Sequence, residues 1–391
     1  MIKVLHLLTT LGRGGLERWL LSLQEEMLLR GVAMDFCCKG NDLGCWSEAA
    51  QSAGARVLLC PLRPTQVGFV RGLRRIVESG GYQILHSHLA VYSGLAVWVA
   101  RRQRIPVITS FHSTESPPFF WWGRFPGLRH LRDTYARCSI NYAVNRSDFV
   151  TGCSIAALRK FCPEQANGNG RARVVYYGVR MTPKLATPEE RAAFRAQLGF
   201  PEDAPTVIHV GRFSDEKNHW GVLQVFSRVV NIIPQARLVL VGDGPLRPET
   251  QLWAATLGLT PVVRFLGPRE DVPQILPKCD LFLFPSHFEG LPVAAIEANA
   301  AGLPVVGSRI AGTVEAVEDG TTAILHEAKD LDGMSASVVR LLSDKSLSKE
   351  LGQAGRRRAQ ERFSVAASAT CLEQLYHECL SFYECAARPD R

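Results

Sequence analysis

The sequence predicts an α/β protein of two doubly wound parallel sheets in series. Three observations carry this. Short apolar runs alternate with segments of helical period, the alternation restarts after residue 180, and 391 residues are too many for one ordinary domain. The chain opens with an apolar strand, Ile2–Leu8, a glycine-bearing turn, an amphipathic helix over 16–29 closed by Gly31, and a second apolar strand, Val32–Cys38. Further strands are expected at 56–59, 83–86, 107–110 and 149–153, with helical patterns such as 67–78 and 92–102 between them. A polar stretch over 163–170 precedes 173–176, and the linker is placed where Tyr177-Gly178-Val179 leads into Pro183 and Pro188. The second half repeats the plan with strands at Thr206–Val210, Arg237–Val241, 262–266, Leu281–Phe284, 304–307 and Ala323–His326. No strand follows the last helical run, 365–385, which reads as a closing helix. The expected domains are 1–180, joined by the closing helix 365–391, and 181–364, both Rossmann-like, with a cleft between their C-terminal strand edges.

Composition removes several classes. With 46% hydrophobic and 21% charged residues the chain is globular. Its longest uncharged apolar stretch, 89–100, is far shorter than the roughly 20 residues that span a bilayer. The run after Lys3 breaks at once into Thr9-Thr10-Leu11-Gly12 without a cleavage site, so it reads as a strand and not a leader. Eleven cysteines, an odd number without C-x-x-C spacing, indicate reduced core thiols and a cytoplasmic setting. The net charge of +8 is unevenly spread: residues 1–180 carry 23 Lys and Arg against 11 Asp and Glu, and the remainder is net acidic. A basic first half points to nucleic acid, an anionic membrane surface or a phosphorylated ligand.

Four constellations fall on loops after strands. Gly12-Arg13-Gly14-Gly15-Leu16-Glu17 leaves the first strand, where glycines admit an anion to a helix N-terminus; they would equally serve a tight turn alone. The third glycine of the dinucleotide fingerprint is absent. Gly211-Arg212 to Lys217-Asn218 leaves the first strand of the second half, and its two cations are spaced to clamp a departing diphosphate, or else to pair with Asp215 or Glu216. Phe284-Pro285-Ser286-His287-Phe288-Glu289-Gly290-Leu291-Pro292 enters a helix expected to start near 291 and to contain Glu297. Two acceptors of sugar hydroxyls would then bracket a phosphate-holding N-terminus, against a plainer reading of Glu289 as a first-turn acid and Glu297 as a buried ion-pair partner. His88 and His112 end two strands of the first half, and His86 reads as a strand residue. Asp330-Leu331-Asp332 is spaced for a divalent metal but precedes a helical run, so an N-cap is expected and no metal. Residues 117–125, rich in aromatics and followed by Arg129, Arg132 and Arg137, have the spacing of a membrane-surface segment, or else form an ordinary core-facing loop.

Taken in order, Gly14-Gly15-Leu16-Glu17, His112, the Gly211-Arg212 to Lys217 loop, Gly242-Asp243-Gly244-Pro245, and Glu289 with Glu297 resemble the family-four retaining glycosyltransferases of GT-B fold. The resemblance spans nearly the whole chain and is densest over 206–326. It implies transfer of a hexosyl group from a nucleoside diphosphate sugar, UDP-sugar favoured, to a saccharide or lipid-pyrophosphate-linked acceptor, with no cofactor. By the same resemblance Glu289 meets the donor sugar, Glu297 the ribose, Arg212 and Lys217 the diphosphate, and Leu266 and Gly267 the base. Ser286, Gly290 and Leu291 line the donor site, His112 lies beside the reacting carbon, and His88, Gly14 and Glu17 face the acceptor. Gly14 and Gly15 also approach the phosphates. Departures at Gly312-Thr313-Val314-Glu315 and Gly320-Thr321-Thr322-Ala323 place any difference in the base and ribose pockets. The second-half wording is most similar to bacterial enzymes of exopolysaccharide, capsule and lipopolysaccharide synthesis, which implies peripheral work at the inner face of the plasma membrane. The competing classes are a nucleotide-sugar epimerase or phosphorylase on the same fold and, more remotely, a nucleic-acid-binding protein; no nucleic-acid motif is present.

Overall fold

A computed structural model of the chain describes residues 1–62, 65–114, 129–163, 170–182 and 184–387. The aromatic segment 117–125 lies outside them. The chain divides into two compact units, Met1–Gly178 with Val365–Arg391, and Val179–Ser364. No helix among the described residues is long and apolar enough to cross a membrane.

The first unit holds seven strands: β1 (Ile2–Leu8), β2 (Val32–Cys38), β3 (Val57–Leu59), β4 (Ile84–Ser87), β5 (Val107–Phe111), β6 (Phe149–Gly152) and β7 (Ala172–Val174). They form one parallel sheet in the order β3-β2-β1-β4-β5-β6-β7. The second unit holds β8 (Thr206–Val210), β9 (Arg237–Val241), β10 (Val263–Gly267), β11 (Leu281–Phe284), β12 (Val305–Ser308) and β13 (Ala323–His326), ordered β10-β9-β8-β11-β12-β13, again parallel throughout. Both units are therefore doubly wound, as the alternation predicts, because strands covered on both faces are near-continuous apolar runs. Leu5, Leu7, Ile84, Leu85, Val107 and Ile108 in one sheet, and Val207, Ile208, Leu281, Phe282, Val305 and Val306 in the other, are buried. In each sheet the strand order reverses at one place, between β1 and β4 and between β8 and β11, the switch point at which open α/β sheets form their ligand-binding crevice at the C-terminal strand edge.

Two helices do more than cover a sheet. The helix Lys345–Phe363 is polar overall and buries only Leu351, Gly352, Gly355, Ala359 and Phe363. That stripe of small residues brings it close to the helix Val293–Ala300: a Cβ on Gly352 would lie 2.1 Å from the Gly302 carbonyl oxygen, and one on Gly355 2.6 Å from the Asn299 amide. Helix Val293–Ala300, which carries Glu297, is thus held from behind. The closing helix, Val365–Ala387, belongs to the first unit. There the Trp19 indole donates to Ser368 Oγ at 2.8 Å, and Ser368 Oγ donates to the Tyr176 carbonyl at 2.7 Å.

Candidate active site

In the second unit the loops at the C-terminal edge are stitched in sheet order. The Gly242 N–H donates to the Gly267 carbonyl at 2.9 Å, the Phe213 N–H to the Asp243 carbonyl at 3.0 Å, and the His287 N–H to the Glu216 carbonyl at 2.9 Å. Glycine makes the closest approach: Gly242 has φ +138°, and a Cβ there would lie 1.9 Å from the Gly211 carbonyl oxygen. Gly242→Ala is expected to destabilise on the order of 3 kcal/mol, whereas Gly258→Ala, also at positive φ (+69°) but facing open space, should cost about 1 kcal/mol. Urea midpoints of the two variants check this; equal midpoints would refute the steric account.

Asn218 fixes the cationic loop. It adopts a left-handed conformation (φ 51°), accepts from the Gly221 N–H at 2.9 Å as N-cap of the helix His219–Ile232, and donates to the Pro285 carbonyl at 3.0 Å. That tie across the β8–β11 crevice aims Lys217 at the β11 loop, where its Nζ donates to Glu289 Oε1 at 2.5 Å. The pair is well shielded, with side-chain exposures of 18% and 9%. Lys217 is therefore matched with neither Asp215 nor Glu216; Glu216 instead accepts from Ser214 Oγ. Arg212, five residues earlier, is exposed, and no described residue pairs with its guanidinium. One cation of the loop is held and the other faces solvent.

Around this pair stand the other residues picked out by the sequence. The helix begins at Val293 with Pro292 as its N-cap, two residues later than expected, so Glu289 lies four residues ahead of it and Glu297 is its fifth residue, half-buried. Gly290 turns the loop against Gly312, whose added Cβ would lie 2.5 Å from the Glu289 carbonyl and 2.8 Å from that of Gly290. Leu291 is buried, Leu266 and Gly267 end β10, and the Ser286 hydroxyl is buried without a partner among the described residues, as is that of Thr313. Asp330 caps the helix Leu331–Ser343 by accepting from the Gly333 N–H at 2.8 Å, and Asp332 accepts from Arg228 at 2.6 Å.

The β1–β4 crevice of the first unit is different in kind. Gly14 is the N-cap of the helix Gly15–Leu29, and a Cβ on it would lie 2.1 Å from Glu17 Oε2. The glycine leaves room for the carboxyl of Glu17 to fold back over the helix N-terminus, where a phosphate was expected. Burial lifts that carboxyl above the usual range, and its own backbone N–H draws it partly back. Beside it lies a cluster of histidines. His112, at the end of β5, has Nδ1 2.7 Å from Tyr177 Oη and Nε2 2.8 Å from His88 Nδ1. Both ring nitrogens are taken by the protein. Burial pulls His112 down to about 3, and His88 well below its ordinary value. His6, Tyr177 and Tyr376 of this cluster were not singled out in the sequence. One signal was available for His6: in the doubly wound order β1 and β4 are neighbours, and His6 is in register with His86.

Residues 14–178 match the family described as glycosyl transferase 4-like domain, and residues 190–358 match glycosyl transferases group 1. EpsF of Bacillus subtilis, assigned as a glycosyltransferase, is 30% identical over 311 residues, 78% of each chain. The chain belongs to the group 1 glycosyltransferases. The glycosyltransferase is also 26% identical to N-acetyl-alpha-D-glucosaminyl L-malate synthase of Bacillus anthracis over 320 residues, 81% of this chain and 80% of that one. Among solved structures it is similar to Anabaena Alr3699/HepE, there in complex with UDP-glucose, with a TM-score of 0.81 and 22% identity over 97% of this chain and all of the other. The two parallel-sheet units of the glycosyltransferase are the GT-B fold.

Proposed function

We propose that this glycosyltransferase moves a hexosyl group from a nucleoside diphosphate sugar, UDP-sugar first, to an acceptor hydroxyl with retention of anomeric configuration. The shielded Lys217–Glu289 pair at the sheet's switch point carries this reading. A diphosphate entering the crevice brings the negative charge for which Lys217 can exchange Glu289, and the released carboxylate is then an acceptor for hydroxyls of the donor sugar. Arg212, already exposed, supplies the second cation as charge develops on the departing phosphate. In this scheme the bond from the anomeric carbon to the diphosphate breaks, the acceptor oxygen bonds to that carbon from the same face, and the acceptor proton passes to the leaving phosphate. A similar fold holding UDP-glucose supports the choice of uridine. The basic charge of residues 1–180 supports an acceptor that itself carries phosphate, a lipid-pyrophosphate-linked saccharide in cell-surface polysaccharide assembly, met at the inner face of the membrane.

Calorimetric titration with UDP, GDP, ADP and dTDP tests the donor class. UDP is expected to bind, and Glu297→Ala to weaken it by about 10- to 100-fold, the worth of a hydrogen bond to a charged group. Absence of binding by all four nucleotides at millimolar concentration would remove the proposal's main support.

A further inference from the structure

The geometry points to Tyr376, on the closing helix, as a positioning residue for His112, acting through a one-way chain of hydrogen bonds that holds four histidines in a common tautomer. The chain can be followed atom by atom. Tyr177 Oη meets His112 Nδ1 at 2.7 Å, His112 Nε2 meets His88 Nδ1 at 2.8 Å, and His88 Nε2 meets His6 Nδ1 at 3.0 Å. His6 Nε2 meets Tyr376 Oη at 3.2 Å, Tyr376 Oη meets His86 Nδ1 at 3.0 Å, and His86 Nε2 meets Ser110 Oγ at 2.6 Å. Ser110 Oγ is bonded in turn to Thr151 Oγ1. Residues from β1, β4, β5, β6 and the closing helix thus share one connected path.

Every link joins a group with one proton to give and a lone pair to receive it. Burial keeps all four imidazoles neutral, and it raises both tyrosines. A neutral imidazole donates from one nitrogen and accepts at the other, so the direction of any link dictates the next. If Tyr177 donates to His112, then His112, His88, His6 and His86 all carry the proton on Nε2; if the chain runs the other way, all four carry it on Nδ1. A mixed arrangement leaves two lone pairs or two N–H groups facing each other between rings or, at Tyr376, a hydroxyl that accepts from both rings and has no acceptor along the path for its own proton, and each unsatisfied buried group costs about 1–3 kcal/mol. The tautomer of His112 is therefore set jointly with that of His6, and Tyr376 is the joint between His6 and His86.

His6, His86 and His88 also bring ring nitrogens within 4.8 Å of one another, a grouping of the size that holds a metal ion. All six of those nitrogens are already engaged along the chain, so the cluster is read here as a hydrogen-bond path.

The test uses the full-length protein labelled with 15N-histidine and the long-range proton–nitrogen spectrum, in which the two ring nitrogens of each tautomer are distinct. His6, His86, His88 and His112 are expected to share one tautomer in the wild type, and different tautomers among these four would overturn the chain. Tyr376→Phe, which removes one oxygen, is expected to shift the His112 nitrogens although the residues are far apart in sequence; unchanged His112 signals would overturn the coupling. Ser110→Ala cuts the chain at its other end and carries the same expectation should Tyr376→Phe fail to fold. That the tautomer matters for transfer rests on the function proposed above. Accordingly, Tyr376→Phe should lower kcat several-fold while KM for the nucleotide sugar stays within about twofold. Shifted His112 signals with an unchanged kcat would overturn the positioning role and leave the chain standing. A wild type that transfers no sugar would overturn the proposed function alone, because the spectrum still decides the chain.

Discussion

Lowering the pH from 7.5 to 5.5 is expected to remove about 5 kcal/mol of stability from the unit formed by residues 1–178 and the closing helix. His6 and His112 are held down to about 3, and His86 and His88 are well below their ordinary value. Loss of hydration on burial is the main cause in each case; the Asp35 carboxylate pulls His6 upward and is outweighed. His6 and His112 take up no proton in the folded unit until the pH is near 3, and His86 and His88 are likewise held neutral by burial, whereas each ring of the unfolded chain binds one below about 6.5. Because the unfolded state takes up more protons in that window, stability is complete above pH 7 and falls as the pH drops. Four rings give a slope of about 5 kcal/mol per pH unit, a large part of the 5–15 kcal/mol that a domain ordinarily has. The second unit has two such rings, His209 at about 4 and His219 at about 2, and should follow with a shallower slope. Urea unfolding at a series of pH values, followed by tryptophan emission, measures this. A midpoint that does not move between pH 7 and 5.5 would show that the rings are protonated in the folded protein.

Lys217→Met should reduce transfer by about 10²- to 10³-fold in kcat and, separately, destabilise the protein by about 3 kcal/mol. The two effects have different origins. Activity falls because the departing diphosphate loses a cation placed at the point where its charge develops. Stability falls because Glu289, only 9% exposed, is left as a shielded carboxylate without its 2.5 Å partner. The double variant Lys217→Met with Glu289→Gln separates them: removing both charges should restore most of the stability and none of the activity. If the single variant unfolds at the wild-type urea concentration, the pair is hydrated and has no hold on the loop. If it also transfers sugar at the wild-type rate, the assignment of Lys217 to the diphosphate fails.

The fold was legible because burial on both faces writes itself into composition. β1, β2, β8, β9, β11 and β13 run between the residues expected from the sequence, since a strand covered on two sides is a mostly apolar run with few polar positions to blur its edges. β7 was less legible: it is short, at the edge of its sheet, and only half-buried at Ala172, Arg173 and Val174. Helix Lys345–Phe363 packs through glycine and alanine and so gives no apolar periodicity to read. In the site, the residue types and loops were legible, but their partners were not. Nothing local says that Lys217 reaches across 72 positions to Glu289, or that both nitrogens of His112 are spoken for. Such pairings depend on which loops the sheet order makes neighbours. Glu17 shows the same limit, because an acid in a first helical turn is ordinary in sequence, and only the fold shows it lying over Gly14.

The place of Tyr376 also has a consequence for how the chain is made. The first unit receives Tyr376, Trp19's partner Ser368 and the rest of the closing helix only after the whole of Val179–Ser364 has been synthesised. At about 5–20 residues per second, the nascent sheet β1–β7 waits roughly 10–40 s for them, with His6 and His86 lacking the hydroxyl that joins them. The second unit, contiguous in sequence, is complete before the first. The N-terminal unit is thus begun first and completed last.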